Sequence, residues 1–116
     1  MTYSFIFLLI GGNMKQTKKK ESSFQSELKQ AIEERYPGCL ITKQDPTNMY
    51  GIPDLLIVYK DKWAMLETKR AKNAHHQGLQ DYWENKLNEM SYSSFVCPEN
   101  MEEVLHELDE AFGLER

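Results

Sequence analysis

The chain has 116 residues, 28% of them charged and 41% hydrophobic, with a formal net charge of −4. This length predicts one domain, and the composition is ordinary for a soluble globular protein. Four lysines lie within residues 15–20, so the rest of the chain has ten Lys and Arg against 18 Asp and Glu. Non-specific binding to DNA relies on neutralised phosphates, and this charge balance argues against a strong form of it. The two cysteines form neither a metal motif nor a disulfide framework. We therefore predict a cytoplasmic location.

Residues 1–20 are predicted to be an N-terminal tail that precedes one domain, residues 21–116. The apolar run from Tyr3 to Ile10 is too short to span a bilayer. It also lacks the basic start and the cleavage site of a signal peptide, so we predict no membrane segment. We hypothesise that translation begins at Met14 and that residues 1–13 are a start-site artefact; a disordered tail is the alternative. Lys15 to Lys20 reads either as a solvated arm or as a loose phosphate contact.

The pattern predicts a first helix from Glu21 to Tyr36. Phe24, Leu28 and Ile32 recur at helical spacing, and the Pro37-Gly38 pair ends the helix. Glu21 has the phase of this apolar stripe and so the best phase among the acidic residues of the helix to reach a site in the domain. If Ser22 or Ser23 is the N-cap, Glu21 instead lies outside the helix.

A β-hairpin follows the first predicted strand, Cys39 to Lys43. Two apolar runs flank a polar break at Lys60-Asp61-Lys62, which is typical of two strands and a turn. With the turn centred on this break, the ladder continues to a pairing of Asp54 with Glu67. Opposed residues project from one face, roughly 5 Å apart, and Lys69 shares the face of Glu67. The sequence thus predicts two carboxylates and one ammonium at the open end of a hairpin.

This cluster suits a metal ion. Opposed carboxylates repel, and hard oxygen ligands favour Mg²⁺; the carbonyl of Thr68 is a candidate third ligand. Lys69 is placed to orient a nucleophile, and the arrangement suits metal-assisted hydrolysis of a phosphodiester. The simpler alternative is a solvated ion pair of Glu67 and Lys69. That alternative must explain polar groups at the edge of a core, where they are rarely left unpaired.

The same residues resemble a nuclease signature. Pro53-Asp54, twelve further residues and Glu67-Thr68-Lys69 resemble the PD-(D/E)XK motif. The start Gly51-Ile52-Pro53-Asp54-Leu55-Leu56 and the later Gln80 are similar to the VRR-NUC branch, which includes small stand-alone bacteriophage nucleases. The resemblance covers roughly Glu21 to Leu108. It implies a restriction-endonuclease-like α/β sandwich, with a mixed, roughly four-stranded sheet flanked by helices.

The resemblance also implies the roles of several residues. Asp54, Glu67 and the Thr68 carbonyl would hold Mg²⁺ or Mn²⁺, and Lys69 would be catalytic. Glu21 matches the extra acidic residue that such nucleases take from the first helix, both as a catalytic residue and as a metal ligand. Glu27 is the reserve.

Gln80 would complete the catalytic set near the metal, by orienting a carboxylate, a water or a phosphate. Its alternative role is a structural hydrogen bond on a semi-buried face. Arg70, Lys72 and His76 follow the hairpin and predict a phosphate-binding rim. Lys43 is a further candidate contact, and a plain surface lysine is equally open.

The rest of the chain predicts two more helices and one more strand. The second helix runs from Gln77 to Met90, and the fourth strand from Ser94 to Cys97. Asn100 begins the last helix as its N-cap, with Glu103 in the capping-box position. The apolar stripe of the second helix is predicted to be Leu79, Trp83, Leu87 and Met90. A solvated acidic face of the last helix is predicted to be Glu102, Glu103, Glu107, Asp109 and Glu110.

The function predicted from these features is a divalent-metal-dependent DNA endonuclease. So small a domain offers little surface for reading sequence, which favours branched or nicked DNA, such as Holliday-junction-like substrates in phage DNA processing. Two symmetric incisions would require a homodimer. No nucleotide cofactor is predicted. The alternatives are a nuclease that degrades host DNA, a non-catalytic nucleic-acid-binding accessory module, and a small-molecule phosphodiesterase.

Overall fold

The computed structural model describes residues 14–45 and 47–114, so the predictions for residues 1–13 lie outside it. The elements are three helices, four strands and one short 3₁₀ segment. In chain order they are α1 (Met14–Arg35), β1 (Leu40–Lys43), β2 (Leu55–Tyr59), β3 (Lys62–Thr68), α2 (Gln80–Met90), β4 (Tyr92–Val96), the 3₁₀ segment (Pro98–Asn100) and α3 (Met101–Ala111). The predicted α/β class, with a mixed four-stranded sheet flanked by helices, is confirmed.

The sheet has the order β1-β2-β3-β4. The pairs β1–β2 and β2–β3 are antiparallel, whereas β3–β4 is parallel. The hairpin has the predicted register, from Tyr59 opposite Lys62 to Leu55 opposite Leu66. The ladder ends there, so the predicted pairing of Asp54 with Glu67 is absent from it. Pro53 precedes Asp54 and has no N–H to donate, which is consistent with an end to the strand at this point.

The core lies between α1, α3 and one face of the sheet. In β2, the buried residues Leu55 and Ile57 alternate with less buried neighbours. In β3, Ala64 and Leu66 are fully buried, and Met65 between them is 7% exposed. This period of two places alternate side chains on opposite faces. The buried cluster comprises Phe24, Leu28, Ile32, Tyr36, Leu55, Ile57, Ala64, Leu66, Val96, Val104, Leu105, Leu108 and Phe112.

The predicted start of the first helix was wrong, because α1 begins at Met14 rather than Glu21. Residues 15–20 were predicted to be part of a tail, but their backbone is helical. The stretch has no proline or glycine, and Met, Lys and Gln are good helix formers. Glu21 therefore lies inside the helix.

The second helix also differs from its prediction. It begins at Gln80 rather than Gln77, since Gly78 has a φ of +52° that a right-handed helix does not accommodate. Of the four predicted stripe residues, all within the described chain, only Leu87 is buried. Leu79 and Met90 are 47% and 60% exposed. The stripe fails because α2 packs chiefly against β4, so only a narrow line of its surface is covered.

Two predictions near the C-terminus need correction as well. Strand β4 begins at Tyr92 rather than Ser94, because Tyr92 pairs with Ala64 of β3. Asn100 precedes α3, but its side chain makes no capping hydrogen bond to that helix. Its Oδ1 instead accepts the Cys97 N–H at 2.8 Å, and its Nδ2 donates to the Phe95 carbonyl at 3.1 Å.

Asp109 was predicted to lie on the solvated acidic face of α3 and is instead 3% exposed. It accepts hydrogen bonds from Arg35 Nε at 3.0 Å, Arg35 Nη2 at 2.6 Å and the Tyr36 hydroxyl at 2.6 Å. Burial, together with Asp109, raises the pKa of Tyr36 above its usual value. The pair ties the end of α1 to α3, and so fixes the helix that carries Glu21 and Gln25.

No helix within residues 14–45 and 47–114 combines the length and the apolar composition needed to cross a membrane.

Candidate active site

Two carboxylates meet at the end of the hairpin. Asp54 precedes β2 and Glu67 lies near the end of β3. Both line one cavity of about 280 Å³, here called the acidic cavity, whose other lining residues are Gln44, Tyr50, Gly51, Ile52, Gln77 and Gln80. The side chain of Glu67 is only 13% exposed. The hairpin thus brings two carboxylates together in a partly enclosed space.

The Asp54 carboxylate is held by β3 and by α1. Its Oδ1 accepts the Thr68 N–H at 3.1 Å, and its Oδ2 accepts the Thr68 hydroxyl at 2.5 Å and Gln25 Nε2 at 3.0 Å. Gln25 Nε2 also lies 3.0 Å from Thr68 Oγ1. An ionised carboxylate accepts about four hydrogen bonds, so these three leave room for one more ligand. Burial raises the pKa of Asp54, against the opposing effect of the Thr68 hydrogen bonds.

The two carboxylates reach the acidic cavity from opposite faces of the sheet, although the sequence predicts one shared face. Asp54 contacts the side chain of Thr68, which is buried on the core face with Leu66. Glu67 alternates with both residues, so its side chain lies on the other face, where Gln80 of α2 contacts it. The difference arises because Asp54 lies beyond the ladder and is not constrained by its pleat.

The Thr68 carbonyl is directed to the Asp54 side of β3. The N–H and C=O of one residue in a strand point to the same side, and neighbouring residues alternate. The Thr68 N–H donates to Asp54, whereas the Lys69 N–H donates to Val96 of β4. By this alternation the Thr68 carbonyl lies on the Asp54 side of β3 and not on the β4 side.

Glu67 carries the largest perturbation in the site. Burial and then the charge of Asp54 raise the pKa of Glu67 to about 8, with Lys69 acting in the opposite direction. The Glu67 Oε2 accepts Gln80 Nε2 at 3.1 Å and lies 3.9 Å from Lys69 Nζ. In the absence of a cation this carboxyl group therefore holds a proton at neutral pH.

Lys69 is held in place by two acceptors. Its Nζ donates to the His75 carbonyl at 3.0 Å and to Gln80 Oε1 at 2.9 Å. The Gln80 amide thus bridges the pair, since its Nε2 donates to Glu67 while its Oε1 accepts from Lys69. Gln80 Oε1 also accepts the Gln77 N–H at 2.9 Å. The first turn of α2 consequently orients both charged residues of the motif.

Glu21 lies at a second cavity on the other side of Asp54. This α1 cavity, of about 290 Å³, is lined by Glu21, Ser22, Gln25, Lys43 and Asp54. The charge of Glu21 contributes to the raised pKa of Glu67, so the three carboxylates act on one another. The reserve candidate Glu27 is exposed and is not among the described lining residues of either cavity.

The residues predicted to contact phosphate lie in different parts of the structure. Lys43 lines the α1 cavity, and its charge acts to lower the pKa of Asp54. Lys72 and His76 line a smaller cavity of about 160 Å³ together with Lys69. The His76 ring stacks on Phe95 at 3.8 Å, and its Nδ1 lies 2.9 Å from Asp81. Arg70 is exposed and is not among the described lining residues of these three cavities.

Two residues of the site were missed from the sequence. Gln25 holds Asp54, and Tyr50 forms part of the wall of the acidic cavity. Gln25 lies one helical turn after Glu21, so the same phase that selected Glu21 could have selected it. Tyr50 has no periodic signal, because it lies in a loop before the hairpin.

The donor set fits a hard divalent cation. Within the described residues, no group of three or more His, Cys, Asp and Glu side chains is arranged to hold a metal ion. The ligands that the fold offers are two carboxylates and one backbone carbonyl. Mg²⁺ is bound in this way, through one or two carboxylates with water filling the remaining positions. Burial, and then the charge of Asp54, raise the pKa of Glu67, and a cation between the two carboxylates would oppose both effects.

No family model, curated protein or solved structure matches this chain.

Proposed function

We propose that this protein is a divalent-metal-dependent endonuclease that hydrolyses phosphodiester bonds in DNA, as the PD-(D/E)XK and VRR-NUC resemblance implies. The observation that carries the proposal is the acidic cavity. Asp54 and Glu67 line it together, and Lys69 is fixed beside Glu67 by the bridging amide of Gln80. Buried carboxylates with raised pKa values in a cleft are typical of a functional site.

The proposed roles follow from the contacts. A bound Mg²⁺ or Mn²⁺ would neutralise the two carboxylates and polarise the phosphate. Asp54, Glu67 and the Thr68 carbonyl would hold it, with Glu21 acting from the α1 cavity. The Lys69 ammonium group would lie beside the reacting phosphate, where it would orient the nucleophile and offset developing negative charge.

Two amides prepare this arrangement before substrate binds. Gln25 and the Thr68 hydroxyl fix the Asp54 carboxylate, and Gln80 fixes Glu67 relative to Lys69. Groups held by such contacts need little rearrangement when charge develops in the transition state.

The proposed substrate is branched or nicked DNA, including Holliday-junction-like species in phage DNA processing. The candidate phosphate contacts are few: Lys43 at the α1 cavity and Lys72 with His76 at the small cavity. A homodimer would make two symmetric incisions, and the proposed site of action is the cytoplasm of a bacterial host.

The test is cleavage of a labelled panel of linear duplex, single strand, nicked duplex, fork and four-way junction, in Mg²⁺ and in Mn²⁺. Wild-type protein is expected to cleave branched species only when metal is present, and Asp54→Asn and Glu67→Gln are expected to abolish cleavage. The matched control is Glu27→Gln, an exposed carboxylate on α1, which should retain full activity. Cleavage by Asp54→Asn at the wild-type rate would refute the catalytic role of Asp54. Turnover of free nucleotides without cleavage of polymer would instead indicate a small-molecule phosphodiesterase.

A further inference from the structure

We infer that Tyr50 is a stacking platform for an unpaired nucleobase next to the phosphate in the acidic cavity. The inference rests on the proposed function and specifies its substrate: a nucleic acid with at least one unpaired base beside the bond to be cleaved.

Tyr50 combines exposure with a position at the site. It lines the acidic cavity with Asp54 and Glu67, yet it remains 64% exposed. A large aromatic side chain in this position presents a flat apolar face to solvent at the mouth of a polar cavity. The geometry matches a nucleotide, in which an anionic phosphate and a flat base are joined by one sugar.

The tyrosine is seated by contacts on two sides. Its backbone carbonyl accepts a hydrogen bond from Trp83 Nε1 at 3.0 Å. Its ring packs so closely on Gly78 that a Cβ added there would lie 2.4–2.8 Å from three atoms of the phenol. A ring that is already ordered loses little conformational freedom when a ligand stacks on it.

One exposed apolar side chain, Leu79, lies close to Tyr50 in the fold. Leu79 is 47% exposed; it follows Gly78, on which the Tyr50 ring packs, and Gly51 packs directly against its backbone. Tyr50 and Leu79 therefore offer aromatic and aliphatic contacts, which do not depend on the identity of the base. Stacking of this kind tolerates any sequence, because every base has a π-face.

A paired base cannot use this platform. In an intact duplex each base is stacked between its neighbours, and exposing one costs free energy that is smallest at a mismatch, a gap or a single strand. Stacking on Tyr50 would therefore favour forks, flaps and junctions over linear duplex. The platform gives the acidic cavity a physical basis for structure selectivity without sequence readout.

The experiment uses forked DNA with 2-aminopurine at each unpaired position next to the branch, and Ca²⁺ in place of Mg²⁺ to limit cleavage. Wild-type protein is expected to quench the 2-aminopurine fluorescence at one position on binding. Tyr50→Ala should lose the quenching and weaken binding on the order of ten-fold, whereas Tyr50→Phe should keep both. The matched control is Tyr82→Ala, since Tyr82 is 53% exposed on α2 and is not among the described residues of the acidic cavity.

A second variant and a second substrate sharpen the result. Gly78→Ala should displace the Tyr50 ring and reproduce the Tyr50→Ala effect. An abasic residue at the quenched position should slow cleavage by wild type about ten-fold, but should add no further loss to Tyr50→Ala. Equal quenching by Tyr50→Ala, or equal abasic penalties in the two proteins, would overturn the inference. A changed oligomeric mass of Tyr50→Ala in light scattering, with quenching retained, would also overturn it and assign the ring to a protein interface.

The two proposals fail in distinguishable ways. Metal-dependent cleavage that is unchanged in Tyr50→Ala would refute the stacking role of Tyr50 and support the proposed nuclease activity. Quenching that requires Tyr50, without cleavage of any substrate in Mg²⁺ or Mn²⁺, keeps the platform and makes the protein a binding module.

Discussion

At the scale of single residues, the candidate site is governed by the burial of two carboxylates close to each other. Asp54 accepts three hydrogen bonds, whereas Glu67 accepts one from the Gln80 amide, lies 3.9 Å from Lys69 and is also stabilised by the Asp54 backbone. Burial, and then the charge of Asp54, raise the pKa of Glu67 to about 8. Without a metal ion, the site therefore lowers the stability of the folded state.

The raised pKa of Glu67 predicts how the stability of the protein depends on pH. The folded protein keeps a proton on Glu67 up to a pKa of about 8, whereas the unfolded chain releases it near the ordinary value of about 4.3. Between these values the folded state binds more protons, so the free energy of unfolding of metal-free protein should fall as pH rises from about 5 to 8. Glu67→Gln should show a smaller fall. Denaturant titrations across that range, in a chelator, measure the difference.

The exposed Glu27 supplies the control for this measurement. Glu27→Gln should reproduce the wild-type pH profile. An identical slope for Glu67→Gln and wild type would contradict the assigned perturbation.

Gln80 is predicted to act on the rate through its neighbours. Gln80→Ala removes the amide that joins Glu67 to Lys69. Loss of a residue that orients metal ligands typically costs about 10–100-fold in metal affinity or activity, and we expect cleavage to fall by that factor. Initial rates at saturating Mg²⁺ provide the measurement. Asn85→Ala, at an exposed position of the same helix, should leave the rate unchanged; an equal loss there would point to α2 stability instead.

At the scale of elements, the register of the hairpin could be predicted, whereas the start and the covered face of the second helix could not. The register of β2 and β3 follows from alternating apolar residues around one polar turn, since a shift by one residue would expose the whole buried face. Helix α2 has an apolar period but little to bury it against, so Leu79 and Met90 remain exposed. Periodicity states which residues share a face, but tertiary packing decides whether that face is covered.

The same distinction explains the candidate site. Asp54, Glu67 and Lys69 could be selected because they flank the ends of predicted strands. The contacts of Gln25 and Tyr50 depend on how α1 and the loop before β2 pack on the hairpin. Asp109 shows the opposite error, because an acidic residue among other acidic residues of a helix reads as solvated until its partner Arg35 is seen.

The tie between α1 and α3 predicts a large effect on stability. Asp109→Ala removes the acceptor of three hydrogen bonds and leaves the Arg35 guanidinium without it. Breaking a buried pair costs about 3–5 kcal/mol, and because Arg35 is 28% exposed we expect about 2–3 kcal/mol. Denaturant unfolding gives the value.

Glu110→Ala is the matched control on the neighbouring residue of α3. Glu110 is exposed and lies 3.6 Å from His106, so its loss should change stability by less than about 0.5 kcal/mol. Equal effects of the two variants would show that Asp109 contributes through helix propensity rather than through Arg35.

At the scale of the whole molecule, the charge distribution limits how DNA can be held. The chain has a net charge of −4, and the acidic cavity is lined by two carboxylates. General attraction to the phosphate backbone is therefore weak. On the proposed function, binding must come from the metal, from a few local cations and from contacts with the substrate's shape.

A weak dependence on salt follows from this distribution. If Lys43, Arg70 and Lys72 each neutralise one phosphate, the plot of log affinity against log salt should have a slope of about −3, since each phosphate contributes about −0.9. Fluorescence anisotropy with forked DNA in Ca²⁺, over about 50–200 mM salt, measures it. Lys72→Ala should reduce the slope by about 1, because Lys72 lines the small cavity beside Lys69, whereas Lys86→Ala on the exposed surface of α2 should not. A slope near −8 would mean that many more cations contact DNA than the described cavities provide, as expected if a second protomer or the four lysines within residues 15–20 complete the interface.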